Sequence, residues 1–257
     1  MRGQDVMDYV SIKAAQASAG LALVVNAGVP GPWSESAKAL FRHHQIPFLA
    51  VPQIPAAAND ALVEWTGHRN APIAVYPGEA PMTRALELLQ LAERLGSGPS
   101  LLPQARSSRI QVTGWIQEIA GEAGFGWCAR HLIFETWARQ MNPEVRAANP
   151  MFSAYGYDER RQESMLEGAQ SFLRDLAKAL KASTTGYLIG DQLTAADLYW
   201  AYFSNLLAPL PGEVNPMRAA SRVAYEIPGQ LLGGYDPILL AHRDFMFKTH
   251  LQQPLDF

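Results

Sequence analysis

A helix-capping signal, Gly190-Asp-Gln-Leu-Thr-Ala-Ala-Asp197, stands directly before the apolar run Leu198-Tyr-Trp-Ala-Tyr-Phe-Ser-Asn-Leu-Leu207. Thr194 and Asp197 are three residues apart, the spacing at which each side chain can reach the other residue's backbone amide. The run that follows is apolar on nearly every face of a helix, which is typical of a helix through the middle of a domain. The pattern predicts a buried central helix starting at Thr194, and it predicts that these polar residues build the fold rather than perform chemistry.

The rest of residues 104–257 shows helical patterns and no convincing strand. The predicted helices, besides Thr194–Leu207, are Arg109–Gln140 (kinked around Gly121, Gly124 and Gly126), Asp158–Ala182, Met217–Glu226 and Pro237–Leu251. We therefore expect residues 104–257 to form an all-helical domain.

Residues 20–96 alternate between short apolar runs and helical patterns. The predicted strands are Leu21–Val25, Pro47–Val51 and Ala71–Tyr76, and the predicted helices are Ser34–Arg42, Ala56–Trp65 and Thr83–Leu95. This β-α-β-α-β-turn-α order implies a small mixed sheet with helices on both faces. Gly96-Ser-Gly-Pro99 and Pro103 read as a linker, and residues 1–19 read as an N-terminal extension outside both domains.

Composition excludes several classes of protein. The 257 residues are 48% hydrophobic and 18% charged, with a net charge of −3 and no basic run, so no nucleic-acid partner is expected. The first twenty residues carry Asp5 and Asp8 rather than a signal-peptide core, and no run approaches a membrane span, so we expect a cytoplasmic protein without a membrane partner. Cys128 is the only cysteine, and we expect it to be a small buried hydrophobe.

Cofactor motifs are also missing from the sequence. The six histidines have no metal-binding spacing, and one cysteine cannot build a multi-cysteine zinc site, so we expect no metal. No Gly-x-Gly-x-x-Gly or Walker sequence occurs, so we expect no nucleotide cofactor.

The Gly190–Asp197 segment, together with the β-α-β-α-β-turn-α order, resembles the glutathione transferase superfamily over roughly residues 20–250. Thr194-Ala-Ala-Asp197 fits the capping motif of that family, although Gly190 stands one residue further from Thr194 than in most members. The resemblance implies an N-terminal thioredoxin-like α/β domain followed by an all-α helical bundle. It also implies a homodimer and glutathione as a small-molecule co-substrate.

The resemblance places the reactive Ser, Tyr or Cys of the family in the loop before the Ser34–Arg42 helix. Counted back from Ile46, that position is Gly31, so Gly31-Pro-Trp-Ser34 looks like a reactive motif without its reactive side chain. Ser34 is expected to cap the helix and is the candidate catalytic hydroxyl, with Gly31 and Trp33 as further candidates for glutathione binding. A helix N-terminus favours the thiolate form of a thiol, because its amides lack partners and carry partial positive charge. A plain capping role is the alternative for Ser34.

Two further segments of the first domain match glutathione-binding positions. Pro72 in Ala71-Pro72 resembles the cis-proline of thioredoxin-like folds, which would turn the Ala71 backbone toward the thiol peptide. Thr83 and Arg84 fall where the family carries an acidic residue followed by serine. Thr83 is expected to cap the next helix, and Arg84 to bind an anionic group. Glu79 or Glu87 would have to replace the missing acidic partner of the glutathione ammonium group.

Trp115, Trp127 and Arg130 are the candidates for a pocket that accepts an apolar electrophile, with simple aromatic packing between helices as the alternative. The first functional hypothesis is a glutathione-transferase-like enzyme acting on a small apolar electrophile. The second is a non-catalytic ligand-binding or assembly protein that lost its reactive residue at Gly31. A third is an enzyme that uses another thiol or none, because Arg84 alters the anion site.

Overall fold

The computed structural model describes residues 7–257, and these residues fall into two compact units. Unit 1 comprises the described residues up to Leu101, together with Pro211–Met217 and Gln252–Phe257. Unit 2 comprises Leu102–Leu210 and Arg218–Leu251. Unit 1 has the predicted thioredoxin-like α/β architecture and unit 2 is all-helical, so the predicted fold class is confirmed.

A three-stranded mixed sheet forms the centre of unit 1. Its strands are β1 (Leu21–Asn26), β2 (Phe48–Gln53) and β3 (Ile73–Val75), in the order β2-β1-β3. β1 runs parallel to β2 and antiparallel to β3, with Asn26 opposite Gln53 and Val24 opposite Ile73. The central strand is apolar from Leu21 to Val25 and buried over that whole length, as expected of a strand covered on both faces.

The helices of unit 1 are α1 (Ile12–Gln16), α2 (Pro32–His43), α3 (Asp60–Thr66) and α4 (Ala85–Leu95). α1 and α3 pack on one face of the sheet, where Ala15 and Leu62 meet Val24 and Ile73. α2 packs against β1 and α4. Because side chains alternate along a strand, Leu23 and Val25 of β1 point to the face opposite Val24.

Three segments predicted to lie outside the first domain belong to unit 1. Residues 7–19 of the predicted N-terminal extension pack on it: Tyr9 forms a parallel bridge with Ala50, and the Val10 amide donates to the Ala50 carbonyl over 2.8 Å. Residues 1–6 of that extension lie outside the described part of the chain. Residues 211–217 and 252–257 return to unit 1, where the Leu255 amide donates to the Val214 carbonyl over 2.8 Å. The N-terminal unit is therefore completed by chain from near the end of the sequence.

Eight α-helices build the described residues of unit 2. They are α5 (Arg106–Ala120), α6 (Phe125–Ala138), α7 (Pro143–Ala147), α8 (Pro150–Ala154), α9 (Gln162–Ala182), α10 (Ala195–Phe203), α11 (Ala219–Leu231) and α12 (Ile238–Thr249), with 3-10 turns at Glu159–Arg161 and Ser204–Leu206. The predicted kinked helix over residues 109–140 is two helices instead. A Cβ on Gly124 would lie 2.6 Å from the Glu118 carbonyl, so only glycine permits the close return of the chain between α5 and α6.

The capping box at the start of α10 is confirmed. The carboxylate of Asp197 accepts the Thr194 amide over 2.9 Å and the Leu188 amide over 2.7 Å, and His242 Nε2 lies 2.9 Å from its Oδ1. Thr194 and Asp197 are buried, and every residue of α10 is buried. This polar cluster holds three segments of unit 2 together.

Candidate functional site

The first turn of α2 begins at Gly31 and not at Ser34. Gly31 is the N-cap, Pro32 is the first helical residue, and Ser34 lies inside the helix. The prediction that Ser34 caps this helix is therefore wrong. The physical reason is Pro32, whose missing amide hydrogen and fixed φ suit the first helical position. The start of α2 still presents the positive end of the helix dipole.

The hydroxyl of Ser34 is directed into the protein toward Asn26. Ser34 Oγ accepts the Asn26 amide over 3.0 Å and donates to Asn26 Oδ1 over 3.1 Å. The Ser34 and Ser36 side chains are 0% exposed. A ligand arriving from solvent therefore meets the half-buried Trp33 and Asn26 before either hydroxyl. The catalytic role of Ser34 stays a prediction, and the structure gives its oxygen a positioning contact.

Asn26 and Gln53 end the two parallel strands side by side. Asn26 Nδ2 donates to Gln53 Oε1 over 2.6 Å, and Gln53 Nε2 donates to the Ile54 carbonyl over 3.0 Å. The hydroxyl of Tyr9 donates to the Asn26 carbonyl over 3.2 Å. Sequence reasoning missed Asn26 and Gln53, although both are polar residues that directly follow apolar strand positions. The carboxyl ends of parallel strands are where α/β proteins place ligand-binding groups.

Gly31 stands in close contact with Asn26. A Cβ built on Gly31 would lie 2.2 Å from Asn26 Oδ1, while its φ of −58° and ψ of 120° are open to any residue. A side chain at this position would therefore have to displace the neighbouring carboxamide, whereas the backbone conformation itself does not call for glycine.

Ala71-Pro72 lies at the same edge of the sheet. The peptide bond between them is cis, so this prediction is confirmed. β3 starts at Ile73 opposite Val24, so continuing the antiparallel register brings Ala71-Pro72 level with Val25 and Asn26. The structure therefore brings Gly31, Trp33, Asn26 and the Ala71 main chain to one end of β1.

The predicted anion site at the start of α4 differs in detail. Arg84 and not Thr83 is the N-cap, so the capping prediction for Thr83 is wrong. The cause is Glu87, whose Oε2 accepts the amide of Thr83 over 3.1 Å and that of Arg84 over 3.0 Å. Arg84 is exposed. Glu79, the other proposed acidic partner for a ligand, pairs with Arg94 over 2.7 Å.

A buried charge cluster lies on α2 beyond its first turn. Lys38 Nζ lies 2.8 Å from Glu35 Oε1 and 3.2 Å from Asp256 Oδ1, and Arg42 binds both carboxylate oxygens of Asp256. Lys38 Nζ also donates to the Asp256 carbonyl. Burial raises the pKa of Glu35 to about 7, although Lys38 opposes this. Burial, with the nearby charges of Glu35 and Asp256, raises the pKa of Tyr9 to about 12.

The three predicted electrophile-pocket residues do not share one cavity. Trp115 lines an open groove of about 570 Å³ in unit 2, together with Phe125 and Phe172, whose ring centroids lie 5.3 Å apart. Trp127 and Arg130 lie elsewhere in unit 2, where the Arg130 guanidinium stands 4.3 Å from the Trp127 ring centroid. The structure thus places Trp115 and the Trp127–Arg130 pair in different cavities, and their role toward an electrophile stays a prediction. Trp115 lies on α5, whereas Trp127 and Arg130 lie on α6, on the other side of the break between the two helices.

Arg130 and its surroundings form a packed aromatic cluster. Its guanidinium also lies 4.8 Å from the Tyr155 ring centroid, and burial lowers its pKa to about 10. Glu135 accepts a 2.5 Å hydrogen bond from Tyr157, while the His131 ring packs against the Tyr157 ring at 5.0 Å. This second cavity holds only about 10 Å³, which is room for about one water molecule. The alternative of aromatic packing therefore fits Trp127 and Arg130.

Cys128 is 2% exposed on α6, and burial raises the pKa of its thiol to about 11. The prediction of a small buried hydrophobe is confirmed. Between residues 7 and 257, no group of three or more His, Cys, Asp or Glu side chains is arranged to hold a metal ion. Over the same residues, no helix combines the length and the apolar character needed to cross a membrane.

Comparison with known proteins supports the sequence resemblance. Residues 147–219 match the family model "Glutathione S-transferase, C-terminal domain". A glutathione S-transferase from Methylobacillus flagellatus, solved with glutathione bound, is 13% identical with a TM-score of 0.63, covering 89% of this chain and 95% of its own. No curated protein matches this chain in sequence.

Two further solved structures have the same fold. A glutathione S-transferase from Methylobacterium radiotolerans, in complex with glutathione sulfonate, is 15% identical with a TM-score of 0.53, covering 92% of this chain and 98% of its own. The beta-etherase LigF from Sphingobium is 16% identical with a TM-score of 0.58, covering 88% and 99%. A thioredoxin-like domain joined to a helical domain is the fold class of glutathione S-transferases. This chain has that fold, and its residues 147–219 match the glutathione S-transferase C-terminal domain.

Proposed function

We propose that this protein binds glutathione at the start of α2 and uses the thiolate on a small apolar electrophile. The observation that carries the proposal is the convergence of three features at one end of β1: the positive end of the α2 dipole at Gly31, the Ala71 main chain, and Asn26. Backbone donors and a helix dipole stabilise an anion without a dedicated side chain. Glutathione bound in one solved structure of this fold, and glutathione sulfonate in another, support the choice of ligand.

Within this proposal, the sulfur lies beside Gly31 and Trp33, and the peptide part of glutathione pairs with the Ala71 main chain next to Pro72. Thr83 and the exposed Arg84 contribute to holding a carboxylate of the ligand, since a guanidinium can grip a carboxylate with two hydrogen bonds. The Ser34 hydroxyl acts through Asn26. Ser34→Ala should then lower turnover by at least about tenfold, as expected when a positioned polar group is lost from such a site.

The groove beside Trp115 is the proposed site for the apolar electrophile. Its aromatic lining and its volume of about 570 Å³ suit a small organic molecule. Trp115→Ala should raise KM for the electrophile and leave glutathione affinity unchanged. Trp127→Ala is the matched control, because Trp127 lies outside the groove. If the two substitutions change KM for the electrophile equally, the electrophile does not bind in this groove.

Calorimetric titration with glutathione tests the binding step. We expect saturable binding that weakens in Arg84→Gln and persists in Arg106→Gln, a matched exposed arginine of unit 2. No saturable heat with the wild-type protein would refute the proposal.

A cytoplasmic location and a homodimer complete the proposal, and light scattering during gel filtration measures the assembly state.

One observation favours a second candidate, a non-catalytic ligand-binding or assembly protein. Gly31 has no side chain, and the Asn26 carboxamide fills the space where a reactive one would stand. This candidate predicts no conjugation of a general electrophile such as 1-chloro-2,4-dinitrobenzene, whether or not glutathione binds. Measurable conjugation by the wild-type protein, lost in Ser34→Ala, would exclude it.

A further inference from the structure

Asn26 occupies the space that the side chain of residue 31 would need. Its Oδ1 stands 2.2 Å, and its Cγ 3.1 Å, from a Cβ built on Gly31. Real Cβ atoms do not approach so closely, so a side chain at 31 would have to displace the Asn26 carboxamide from its bonds to Ser34 and Gln53. At this end of β1 the polar side chain therefore belongs to Asn26, the last residue of the strand. Gly31, in the loop that follows, contributes none.

The orientation of the Asn26 carboxamide is fixed by its partners. Ser34 Oγ has a single hydrogen and already accepts the Asn26 backbone amide, so it donates that hydrogen to Oδ1. Gln53 uses its Nε2 on the Ile54 carbonyl, so its oxygen faces Asn26 and accepts from Nδ2. These contacts leave no choice between the oxygen and the nitrogen of the carboxamide, and Nδ2 is its donor atom.

One hydrogen of Nδ2 remains available. A carboxamide nitrogen carries two hydrogens, and Gln53 takes one of them. Within residues 7–257 the second one has no acceptor. Ser34 and Gln53 are 0% exposed, whereas Asn26 is half-buried, so Asn26 is the member of this trio that solvent reaches.

We propose that Asn26 donates its second Nδ2 hydrogen to the ligand's sulfur anion, with Ser34 and Gln53 as positioning residues. The proposal rests on the proposed function, and it names the side chain that acts at the sulfur. The thiol proton leaves to solvent, and Asn26 neither gains nor loses a proton. Hydrogen bonds to a charged group are stronger than neutral ones, so this donor lowers the pKa of the bound thiol.

The test measures the pKa of bound glutathione from the ultraviolet absorbance of its thiolate. Asn26→Ala should raise this pKa by about one to two units, the effect of one hydrogen bond to a charged group. Asn26→Asp, which keeps an acceptor for Ser34 but replaces the donor with a negative charge, should raise it further. S-methylglutathione has no thiol to ionise, so the variants should bind it with nearly the wild-type affinity. Such binding would show that the site is still folded. Asn142→Ala, an asparagine truncated on the surface of unit 2, is the control.

A compensating pair gives a second readout. Gly31→Ser alone should lower the melting temperature, because the new side chain collides with Asn26. The double variant Asn26→Ala/Gly31→Ser should restore that temperature and bring the thiol pKa back toward the wild-type value. If Asn26→Ala binds S-methylglutathione and the thiol pKa is unchanged, the assignment of Asn26 is overturned while the proposed function stands. If the wild-type protein binds no glutathione, the proposed function falls and this assignment falls with it.

Discussion

Replacing the buried carboxyl of Glu35 with the neutral amide of glutamine should stabilise the protein at alkaline pH and hardly affect it in acid. Glu35 is 3% exposed, and burial raises its pKa from 4.5 to about 7 despite the Lys38 ammonium 2.8 Å away. A carboxyl whose pKa is higher in the folded protein than in the unfolded chain stabilises the fold below its unfolded pKa. That contribution is lost as the pH rises through 4.5 toward 7.

The magnitude follows from the size of the shift. A rise from 4.5 to about 7 corresponds to about 3 kcal/mol, at about 1.4 kcal/mol per pH unit. Glu35→Gln should therefore raise the free energy of unfolding by about 3 kcal/mol near pH 8.5, and by less than about 1 kcal/mol near pH 4.5. Lys38 keeps an ion-pair partner in the variant, because Asp256 Oδ1 lies 3.2 Å from its Nζ.

Urea unfolding of the wild type and the variant at these two pH values, followed by circular dichroism, measures the difference directly. Glu64→Gln is the matched control: it makes the same chemical change on an exposed position of α3 and should leave the pH profile unchanged. A stability difference that does not depend on pH, or a Glu35→Gln variant less stable than wild type near pH 8.5, would refute the reasoning.

Three other substitutions test features of the fold, each by urea titration. Asp197→Ala should lower the free energy of unfolding by at least about 3 kcal/mol, because several buried donors lose their acceptor, at about 1–3 kcal/mol each. Asp256→Asn should cost about 1–3 kcal/mol by weakening its bond to Arg42. Because the ion pairs lower the pKa of Asp256, that loss should be present above its unfolded value of 3.8 and disappear in stronger acid. Gly96→Ala should destabilise the protein because its Cβ would lie 2.3 Å from the His44 Cβ, and a mild effect would mean that the linker moves freely.

The secondary structure was predictable wherever a local signal was sufficient. Leu21–Val25 is short, apolar and bounded by a Gly/Pro-rich loop, and it is the centre of the sheet. Thr194 and Asp197 carry their own capping geometry, so the start of α10 could be placed to the residue. Both signals depend only on residues a few positions apart.

The site was predictable only in outline. The missing side chain at Gly31 is visible in the sequence, but the reason for it is Asn26, and the contact depends on how the loop returns to the strand. The Asn26–Gln53 contact likewise depends on the register of β1 and β2. The position of Ser34 was predictable and was missed, because Pro32 already indicated the first helical residue.

The helical domain shows the same limit. The glycines between residues 121 and 126 suggested a bend, but periodicity alone does not give the direction of the next helix. Trp115 and Trp127 were predicted to shape one electrophile pocket, and they line different cavities. A helical pattern therefore predicts which residues share a face only as far as the next break between helices.

The return of residues 252–257 to unit 1 has a consequence for protein synthesis. The ribosome releases the chain from its N-terminus, and N-terminal domains usually fold first. Here the cation pair of Lys38 and Arg42 receives its carboxylate from Asp256, more than two hundred residues later. A nascent chain that has emerged only as far as Leu101 leaves Arg42 without its carboxylate partner and Lys38 with Glu35 alone. Ribosome-bound intermediates of this protein should consequently be open to proteases around α2 until translation is nearly complete.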